Sequence, residues 1–496
     1  MKTNLNVDTK ALREKILDLA MRGKLVEQDP GDEPASVLLE KIQAKKAELV
    51  KEGKIKKSKK LPEISGDEKP FDIPDSWEWV RLNFGVIVER GGSPRPIKNF
   101  LTDSEEGINW IKIGDTKKNS KYITSTREKI IRDGLEKSRE VHVGDFLLSN
   151  SMSFGRPYIL KINGAIHDGW LVLSIIGNAV ESNFLYYLIC SPSVQRFFKN
   201  AATGTTVKNL NKERVSITPI PLPPLAEQKR IATKVSELFK LIDVIEKNVA
   251  EFQDLEQAMR SKLLDLAMQG KLVEQDPSDE PASKLLEKIK AEKAELVKEG
   301  KIKKGKKLPE ITDDEKPFAI PDSWSWVRLG DVGDWGAGAT PSKSNHEYYN
   351  GGTIPWILTG DLNDAHITVA NQHITEKALK ETSVKIKPVG SVLLAMYGAT
   401  IGKLGILDIE ATTNQACCAC VPFTGVSNKY LFDYLMFMKP KFIKSGVGGA
   451  QPNISRTKIV ATPIPLPPLA EQKRIVAKLT ELFEQLDTIK QNLMSV

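Results

Sequence analysis

The chain has 496 residues, of which 40% are hydrophobic and 27% are charged, and its formal net charge is +8. This length accommodates two to four domains that each have a core, and the excess of Lys and Arg suits a nucleic-acid partner without requiring one. No apolar run approaches the roughly 20 residues that cross a bilayer, and the start lacks a signal-peptide core, which argues against membrane and secreted classes. Four cysteines without a paired framework indicate a reducing compartment, so we expect a cytoplasmic location.

Two segments of the sequence occur twice. The residues TPIPLPPLAEQKRI stand at 218–231 and again at 462–475, and residues 17–82 recur at 264–329 with 10 differences in 66 positions. The stretches between these repeats, about 83–217 and 330–461, differ from each other. A period of about 250 residues is too long for a solenoid and indicates a duplicated architecture.

The repeats divide the chain into seven segments. In chain order we predict an N-terminal spacer helix at 1–26, a repeat connector at 27–82, a first variable domain at 83–217, a central spacer helix at 218–274, a second connector at 275–329, a second variable domain at 330–461 and a C-terminal spacer helix at 462–496. Each connector carries a short amphipathic helix, with Pro34 or Pro281 suited to its first turn, and then a lysine-rich insert at 52–60 or 299–307. These inserts are compatible with a solvated loop, with contacts to phosphates, or with an acidic partner surface.

The central spacer has the apolar spacing of a coiled coil. Apolar residues recur mainly at steps of four and three from Ile231 to Leu266, between Pro224 and Gly270. This pattern predicts one helix of about 45 residues, roughly 65 Å long. The same seam starts again at 475, runs to the C-terminus and continues near the N-terminus from Leu12. We therefore expect a second helix, split between the chain ends, that pairs antiparallel with the continuous one in a circular, pseudo-two-fold arrangement.

Both variable stretches are predicted to be mixed α/β domains, because their short apolar alternations are broken by Gly, Asn and Ser. They share a frame, since NWIKIGD at 109–115 parallels PWILTGD at 355–361. Trp110 and Trp356 each begin an apolar alternation and are expected in the core. The cysteines of ACCAC at 416–420 fit a buried strand better than a zinc site, because adjacent strand residues face opposite sides.

The sequence contains two repeated motifs, PLPPLAEQKRI, which occurs twice before a heptad helix, and W-x-W-V-R-L, which precedes each variable stretch. In these motifs the chain resembles the specificity subunits of type I restriction–modification systems, and the resemblance covers essentially the whole chain. The resemblance implies two target recognition domains that each read one half of a bipartite, asymmetric site in double-stranded DNA. It implies that the long helices space these domains and dock two modification subunits, with restriction subunits joining the complex. It also implies no catalysis and no cofactor in this chain, since S-adenosylmethionine belongs to the modification subunits and ATP with Mg to the restriction subunits.

The motifs that are missing agree with a chain without an active site. The sequence has no G-x-x-x-x-G-K-[ST] loop, no N-P-P-Y or D-P-P-Y tetrad, and no H-E-x-x-H or G-x-S-x-G motif. A second interpretation stays open, namely a non-enzymatic coiled-coil scaffold whose two domains bind protein or glycan. Binding that weakens strongly with salt would favour DNA over that scaffold.

Loops of each variable domain carry the candidate DNA-contacting residues, because Lys and Arg bind phosphates while forked and amide side chains read base edges. In the first domain the candidates are Arg90, Ser93, Arg95, Lys98, Lys117, Lys118, Asn119, Asn150, Ser153, Arg156, Thr205, Thr206, Lys208 and Asn209. In the second domain they are Thr340, Ser342, Lys343, Ser344, Asp361, Asn363, Tyr397, Lys403, Gln451, Asn453 and Arg456. For any single one of these residues, turn formation is an equally good explanation.

Overall fold

A computed structural model of the chain describes residues 8–55, 61–117, 120–150, 155–201, 210–446 and 453–494. The chain forms two compact units, an N-terminal unit of Asn6–Val249 and a C-terminal unit that includes Ala250–Val496. None of the helices in these described ranges is long and apolar enough to span a membrane.

The N-terminal unit alternates short strands with helices, as the broken apolar alternation predicts. Its helices are α1 (Thr9–Met21), α2 (Ala35–Lys51), α3 (Arg132–Leu135), α4 (Ser182–Cys190), α5 (Pro192–Ala201), α6 (Lys212–Ser216) and the first part of α7 (Leu225–Met268). Its strands are β1 (Glu78–Arg81), β2 (Val86–Arg90), β3 (Leu101–Thr102), β4 (Ile108–Ile111), β5 (Tyr122–Ile123), β6 (Glu128–Ile130), β7 (Arg139–Val141), β8 (Phe146–Ser149), β9 (Pro157–Leu160), β10 (Gly164–Ile166), β11 (Trp170–Ile175) and β12 (Pro219–Leu222).

The C-terminal unit has the same order of elements with fewer strands. After the end of α7 its helices are α8 (Ala282–Lys298), α9 (Glu376–Glu381), α10 (Asn428–Gly446), α11 (Arg456–Ala461) and α12 (Leu469–Met494). Its strands are β13 (Ser325–Arg328), β14 (Gly333–Ala337), β15 (Ile354–Ile357), β16 (Ala365–Ile367), β17 (Gln372–Ile374), β18 (Val392–Ala395), β19 (Leu404–Leu407), β20 (Thr412–Thr413), β21 (Cys417–Pro422) and β22 (Pro463–Leu466). The fold is mixed α/β, as predicted.

Each unit contains one five-stranded sheet of corresponding order. It runs β2-β11-β8-β9-β5 in the N-terminal unit and β14-β21-β18-β19-β16 in the C-terminal unit. The registers also correspond, since Leu171 lies opposite Arg90 and Cys418 lies opposite Ala337. Arg90 and Ala337 are therefore equivalent positions, and the same offset of 247 residues relates strand β2 to β14 and strand β11 to β21.

The second sheets differ between the units. The order is β3-β6-β4-β10-β7 in the N-terminal unit but only β17-β15-β20 in the C-terminal unit. Trp110 and Trp356, on the central strands of these sheets, are both buried, which confirms their predicted place in the core. The cysteine cluster forms the buried strand β21, as predicted, and burial raises the pKa of the Cys418 thiol to about 12. A thiol held protonated in this way is a poor zinc ligand.

The repeated proline motif forms a strand followed by the start of a helix. Strand β12 pairs antiparallel with β1, so that PIPL lies along EWVR, and β22 pairs with β13 in the same register. Pro219 and Pro221 have no N–H group to donate, so β12 is suited to a small sheet and not to the centre of a large one. The motif thereby joins the end of each variable domain to its beginning.

The first turn of α7 is locked to the connector by side-chain contacts. The indole N–H of Trp77 donates to the Glu227 carboxylate at 2.8 Å, and the Gln28 amide donates to the same carboxylate at 2.5 Å. Arg230 pairs with Asp32 at 2.6 Å. The C-terminal unit repeats these contacts as Trp324 to Glu471 at 2.8 Å, Gln275 to Glu471 at 2.5 Å and Arg474 to Asp279 at 2.7 Å. The repeated letters of PLAEQKRI and LVEQDP thus belong to one interlocking set of contacts.

Helix α7 begins and ends where the sequence predicts. It starts directly after Pro224 and stops shortly before Gly270, which has a φ of +69°. A Cβ atom at Gly270 would lie 2.5 Å from the Pro321 ring, so this helix end requires glycine for both conformation and space.

The spacer helices pair antiparallel within each unit. In the C-terminal unit Glu256 of α7 contacts Lys490 of α12 at 3.1 Å, while Arg260 contacts Asp487 at 2.6 Å. In the N-terminal unit Arg13 of α1 contacts Asp243 of α7 at 2.7 Å. The predicted seam is only partly buried, because its outer positions such as Ile231, Val235, Ile475 and Leu479 are buried whereas Ile245, Met259 and Ile489 are exposed.

Candidate nucleic-acid interface

In the first variable domain, predicted loop residues gather around Asp168 at the end of the sheet β2-β11-β8-β9-β5. The Ser93 hydroxyl donates to Asp168 Oδ1 at 2.9 Å, and Arg95 Nη2 lies 3.4 Å from Oδ2. The Arg90 guanidinium donates to the Asp168 carbonyl oxygen at 3.3 Å. Burial raises the pKa of the Asp168 carboxyl, but the hydrogen bond from Ser93 and the interactions with His167 together lower it by a larger amount. The pKa of Asp168 therefore lies below its usual range. We call residues 90–95, 149–150 and 167–169 the first corner.

Two residues hold the backbone of the first corner together. Asn150 is only 5% exposed, and its side-chain amide donates to the Asp168 carbonyl at 2.9 Å. The Asn150 carbonyl accepts from the N–H of Leu210, which follows the predicted loop at 205–209. A Cβ atom at Gly91 would lie 2.1 Å from the His167 carbonyl oxygen, so only glycine permits this approach. Asn150 therefore positions the corner instead of presenting its side chain outward.

His167 connects another predicted loop to this corner. Its ring Nε2 accepts a hydrogen bond from the backbone N–H of Ile113 at 3.2 Å. Burial lowers the pKa of His167, which favours the neutral ring that can accept this bond. Ile113 opens the turn that leads to Lys117, which is exposed. Among the described residues, contacts to residues 167–169 therefore come from the predicted loop at 90–98, from Asn150, and from Ile113 just before the predicted loop that contains Lys117.

The cations of this domain lie on its surface. The Arg95 side chain is 82% exposed, and Lys98, Lys117 and Arg156 are exposed as well. Such side chains are free to reach a phosphate backbone at little cost in desolvation.

An equivalent corner occurs in the second variable domain. Thr340, which corresponds to Ser93, donates from its hydroxyl to Oε1 of Gln415, which corresponds to Asp168. A Cβ atom at Gly338 would lie 2.0 Å from the Thr413 carbonyl oxygen and 2.4 Å from that of Asn414, so the backbone approaches as closely as it does at Gly91. We call residues 337–344, 396 and 413–416 the second corner. The backbone arrangement is thus shared, while the side chains differ.

The other candidates of the second domain have varied roles. Asp361 accepts from the Leu358 N–H at 2.8 Å and from the Asn371 amide at 2.5 Å, so its carboxylate is used within its own turn. Tyr397 forms an isolated β-bridge with Asn453, which brings two predicted loops together. Arg456 is exposed and donates to the Trp335 carbonyl at 3.4 Å. The hydroxyls of Ser342 and Ser344 lie 2.8 Å apart. Lys343 and Asn363 are exposed, and Lys403 is half-buried.

Several predicted residues lie outside the described part of the chain. These are Lys118, Asn119, Ser153, Thr205, Thr206, Lys208, Asn209 and Gln451.

The residues at the centre of the corners, Asp168 and Gln415, are not among those predicted from the sequence to contact DNA. Each lies 75 residues from its hydroxyl partner, so no local spacing connects them. The available signal was a polar residue just before an apolar strand, as in HDGW at 167–170 and NQACC at 414–418. Within the described ranges, no three His, Cys, Asp or Glu side chains are grouped to hold a metal ion.

Comparison with known proteins places this arrangement in a family. The family model described as type I restriction modification DNA specificity domain matches residues 74–252 and 321–496. The chain is 32% identical to the type I restriction enzyme EcoAI specificity subunit of Escherichia coli, over 97% of this chain and 90% of that protein. It is 30% identical to the Escherichia coli EcoEI specificity subunit, over 98% of this chain and 91% of that one. A solved structure on complex assembly and conformational transition of the type I restriction–modification system shares the fold, with a TM-score of 0.57, 23% identity, and coverage of 85% of this chain and 94% of that chain.

Proposed function

Because this chain belongs to the type I restriction–modification DNA specificity subunits, we propose that each of its variable domains reads one half of a bipartite, asymmetric site in double-stranded DNA. The observation that carries the proposal is the pair of corners. A shared backbone explains how both domains address the same kind of ligand, and exchanged side chains explain how the two half-sites differ. The exposed Arg and Lys side chains around the first corner supply affinity for the DNA phosphates of its own half-site.

We further propose that the chain has no catalytic activity and binds no cofactor. In this proposal S-adenosylmethionine is bound by modification subunits, and ATP and Mg by restriction subunits, so the chain supplies only sequence recognition. The relatives support this, because they are named as the specificity subunits of type I restriction enzymes. We place the complex in the cytoplasm, where its DNA substrate is accessible.

We propose that two modification subunits dock on the repeats, one for each copy. The connector of the N-terminal unit has a groove of about 930 Å³, which is lined in part by Lys46, Ile64, Ile73 and Trp79. The second connector repeats most of this lining, including these four residues, but it has Lys290, Ser325, Gly330 and Asp331 in place of Gln43, Glu78, Asn83 and Phe84. A surface used twice by the same partner must be kept twice, whereas an unused surface is free to differ. The mass of the reconstituted complex should therefore correspond to two modification subunits per chain, and a mass with one would contradict this docking.

The test of DNA recognition uses the chain assembled with its modification subunits. The complex should bind and methylate a duplex with both half-sites, and scrambling either half should abolish methylation. Affinity should fall steeply between low and physiological salt, with a log–log slope of about −0.9 for each phosphate neutralised. The chain alone should not transfer methyl groups from S-adenosylmethionine. Salt-independent binding, or methylation that ignores one half, would contradict the proposal.

A further inference from the structure

The two corners differ in a coordinated way. By the matching strand registers, Arg90 corresponds to Ala337, Arg95 to Ser342, and Asp168 to Gln415. Ser93 and Thr340 are both hydroxyl residues and make the same contact. The second corner therefore lacks two guanidinium groups and one carboxylate together, while the hydroxyl stays.

This coordinated change indicates what the carboxylate is for. An acceptor for the hydroxyl at position 93 or 340 does not need a charge, since the Gln415 amide oxygen accepts from Thr340. A carboxylate is needed where guanidinium groups must be held, and charge-assisted hydrogen bonds to Arg are the stronger ones. Asp168 lies within reach of Arg95 through Oδ2 and of Arg90 through its carbonyl oxygen. The Asp168 carboxylate is thus suited to orient Arg95, whereas Arg90 is held by the backbone carbonyl of residue 168, a contact that does not require a carboxylate.

The geometry leaves the first corner able to donate to a base. The Arg95 side chain is 82% exposed and contacts Asp168 through one Nη atom, so other donors of its five N–H groups face solvent. Guanine presents two acceptors, O6 and N7, in the major groove, and a guanidinium fork pairs with both. The tight backbone at Gly91 and Asn150 fixes where this fork is presented.

The second corner presents different chemistry at the same place. Gln415 is exposed, and its Oε1 keeps one lone pair after accepting from Thr340. In the part of the chain that the structure describes, its Nε2 has no hydrogen-bond partner. An amide with a free acceptor position and a free donor matches N6 and N7 of adenine. The small side chains of Ala337 and Ser342 leave room for a base to approach.

We propose that positions 168 and 415 each determine one base of a half-site: Asp168 by orienting Arg95 onto a guanine, and Gln415 by pairing directly with an adenine. The inference rests on the proposed DNA recognition and deepens it. Asp168 is a positioning residue, whereas Arg95 and Gln415 are the base-reading residues.

The experiment selects preferred sites from a randomised duplex library with the full complex, for the wild-type chain and single variants. Arg95→Ala and Asp168→Asn should each lower the preference for one guanine in one half-site by about 5-fold to 100-fold and leave the other half unchanged. Gln415→Glu should lower the preference for one adenine in the other half by a similar factor, because a carboxylate cannot donate to N7. Arg95 and Gln415 are exposed, so their variants do not threaten folding.

Two matched controls separate base reading from general affinity. Lys98→Ala and Lys343→Ala remove exposed cations near each corner and should weaken binding for all sequences without changing the preferred bases. Asp168→Glu keeps the charge and should retain guanine preference better than Asp168→Asn. Unchanged base preferences in Arg95→Ala and Gln415→Glu, with a wild-type complex that still selects a bipartite site, would overturn the inference alone. A wild-type complex that selects no bipartite site would instead overturn the proposed function.

Discussion

The repeated connectors and the corners of the variable domains show opposite kinds of similarity. The connectors keep the same side chains in the same contacts: Arg81 pairs with Glu68 at 2.7 Å and Arg328 with Glu315 at 2.6 Å. The corners keep the backbone approach and exchange the side chains, as Asp168 and Gln415 illustrate. A buried side chain that satisfies other groups cannot vary without cost, whereas an exposed one on a fixed backbone can. The difference separates what assembles the molecule from what selects a ligand.

The largest expected effect comes from exchanging a whole variable domain, including its corner. Replacing residues 83–217 by the matching stretch of a relative should change one half-site and leave the other intact. Preference for the original half-site should fall at least about 100-fold, because each mismatched base pair costs about 1–3 kcal/mol and several change together. Methylation mapping measures this result. Alteration of both halves at once would show that the two domains do not read DNA independently.

A second prediction concerns the helix that joins the two units. Four residues inserted after Asn248 should lengthen α7 by about one turn, roughly 5.4 Å, and should increase the unread spacer between half-sites by one or two base pairs at about 3.4 Å each. Some stability should be lost, since four residues shift the heptad. The same insertion in the exposed turn at 104–106 is the control and should leave the spacer unchanged. An active α7 variant with its original spacer would show that this helix does not set the distance.

The third prediction tests whether the connectors are equivalent. Arg81 is buried and donates to both oxygens of Glu68 and to the carbonyl of Ile217. Arg81→Ala and Arg328→Ala should each destabilise their own unit by about 1–3 kcal/mol, because a backbone carbonyl and a partly exposed carboxylate lose their donors and the packing of the buried arginine is lost. Denaturant unfolding measures the effect, with exposed Arg214→Ala as the control. A large loss of stability for only one of the two variants would show that the connectors are not equivalent.

The fourth prediction concerns how the same two ion pairs affect stability at acidic pH. The hydrogen bonds from Arg81 lower the pKa of Glu68 from its ordinary 4.5 to about 2, and those from Arg328 do the same for Glu315. A folded-state pKa below the unfolded value stabilises the protein above about pH 4.5, and this contribution is lost as the pH falls toward 2. Glu68→Gln should therefore show a shallower loss of stability over this range than the wild type. Thermal melting against pH measures it, and an equal slope for Glu68→Gln and Asp67→Asn would contradict this reasoning.

The smallest expected effect distinguishes the two helix pairs. Arg13 contacts Asp243 and Glu246, so its removal leaves two carboxylates close together. The equivalent Arg260 contacts Glu256, which Lys490 also holds. Arg13→Ala should cost about 0.5–1 kcal/mol and Arg260→Ala somewhat less, since partly exposed pairs contribute little. The difference should disappear near 1 M salt, where charges are screened within about 3 Å. A difference that persists in high salt would point to packing of the arginine stems instead.

Much of the fold followed from local chemistry in the sequence. The long helix begins just after Pro224, because proline disfavours a helical conformation in the residue before it. It ends shortly before Gly270, because glycine tolerates the left-handed conformation that terminates a helix. The cysteine run formed a buried strand because its side chains are small and apolar. The heptad seam was predicted as continuous, but Ile245 and Met259 are exposed, since apolar spacing identifies a face without stating what covers it.

The sequence by itself determined the duplication, the long helix and the loops that carry polar and cationic residues, because repeats, helix ends and composition are local properties. Only the tertiary structure decided which of those residues meet. Strand pairing brings Ser93 to Asp168 and Thr340 to Gln415 across 75 residues, and it turns Asn150 inward to support the backbone. Contacts of this kind depend on the register of hydrogen-bonded strands, and a shift of one residue would reverse which side chains face a ligand.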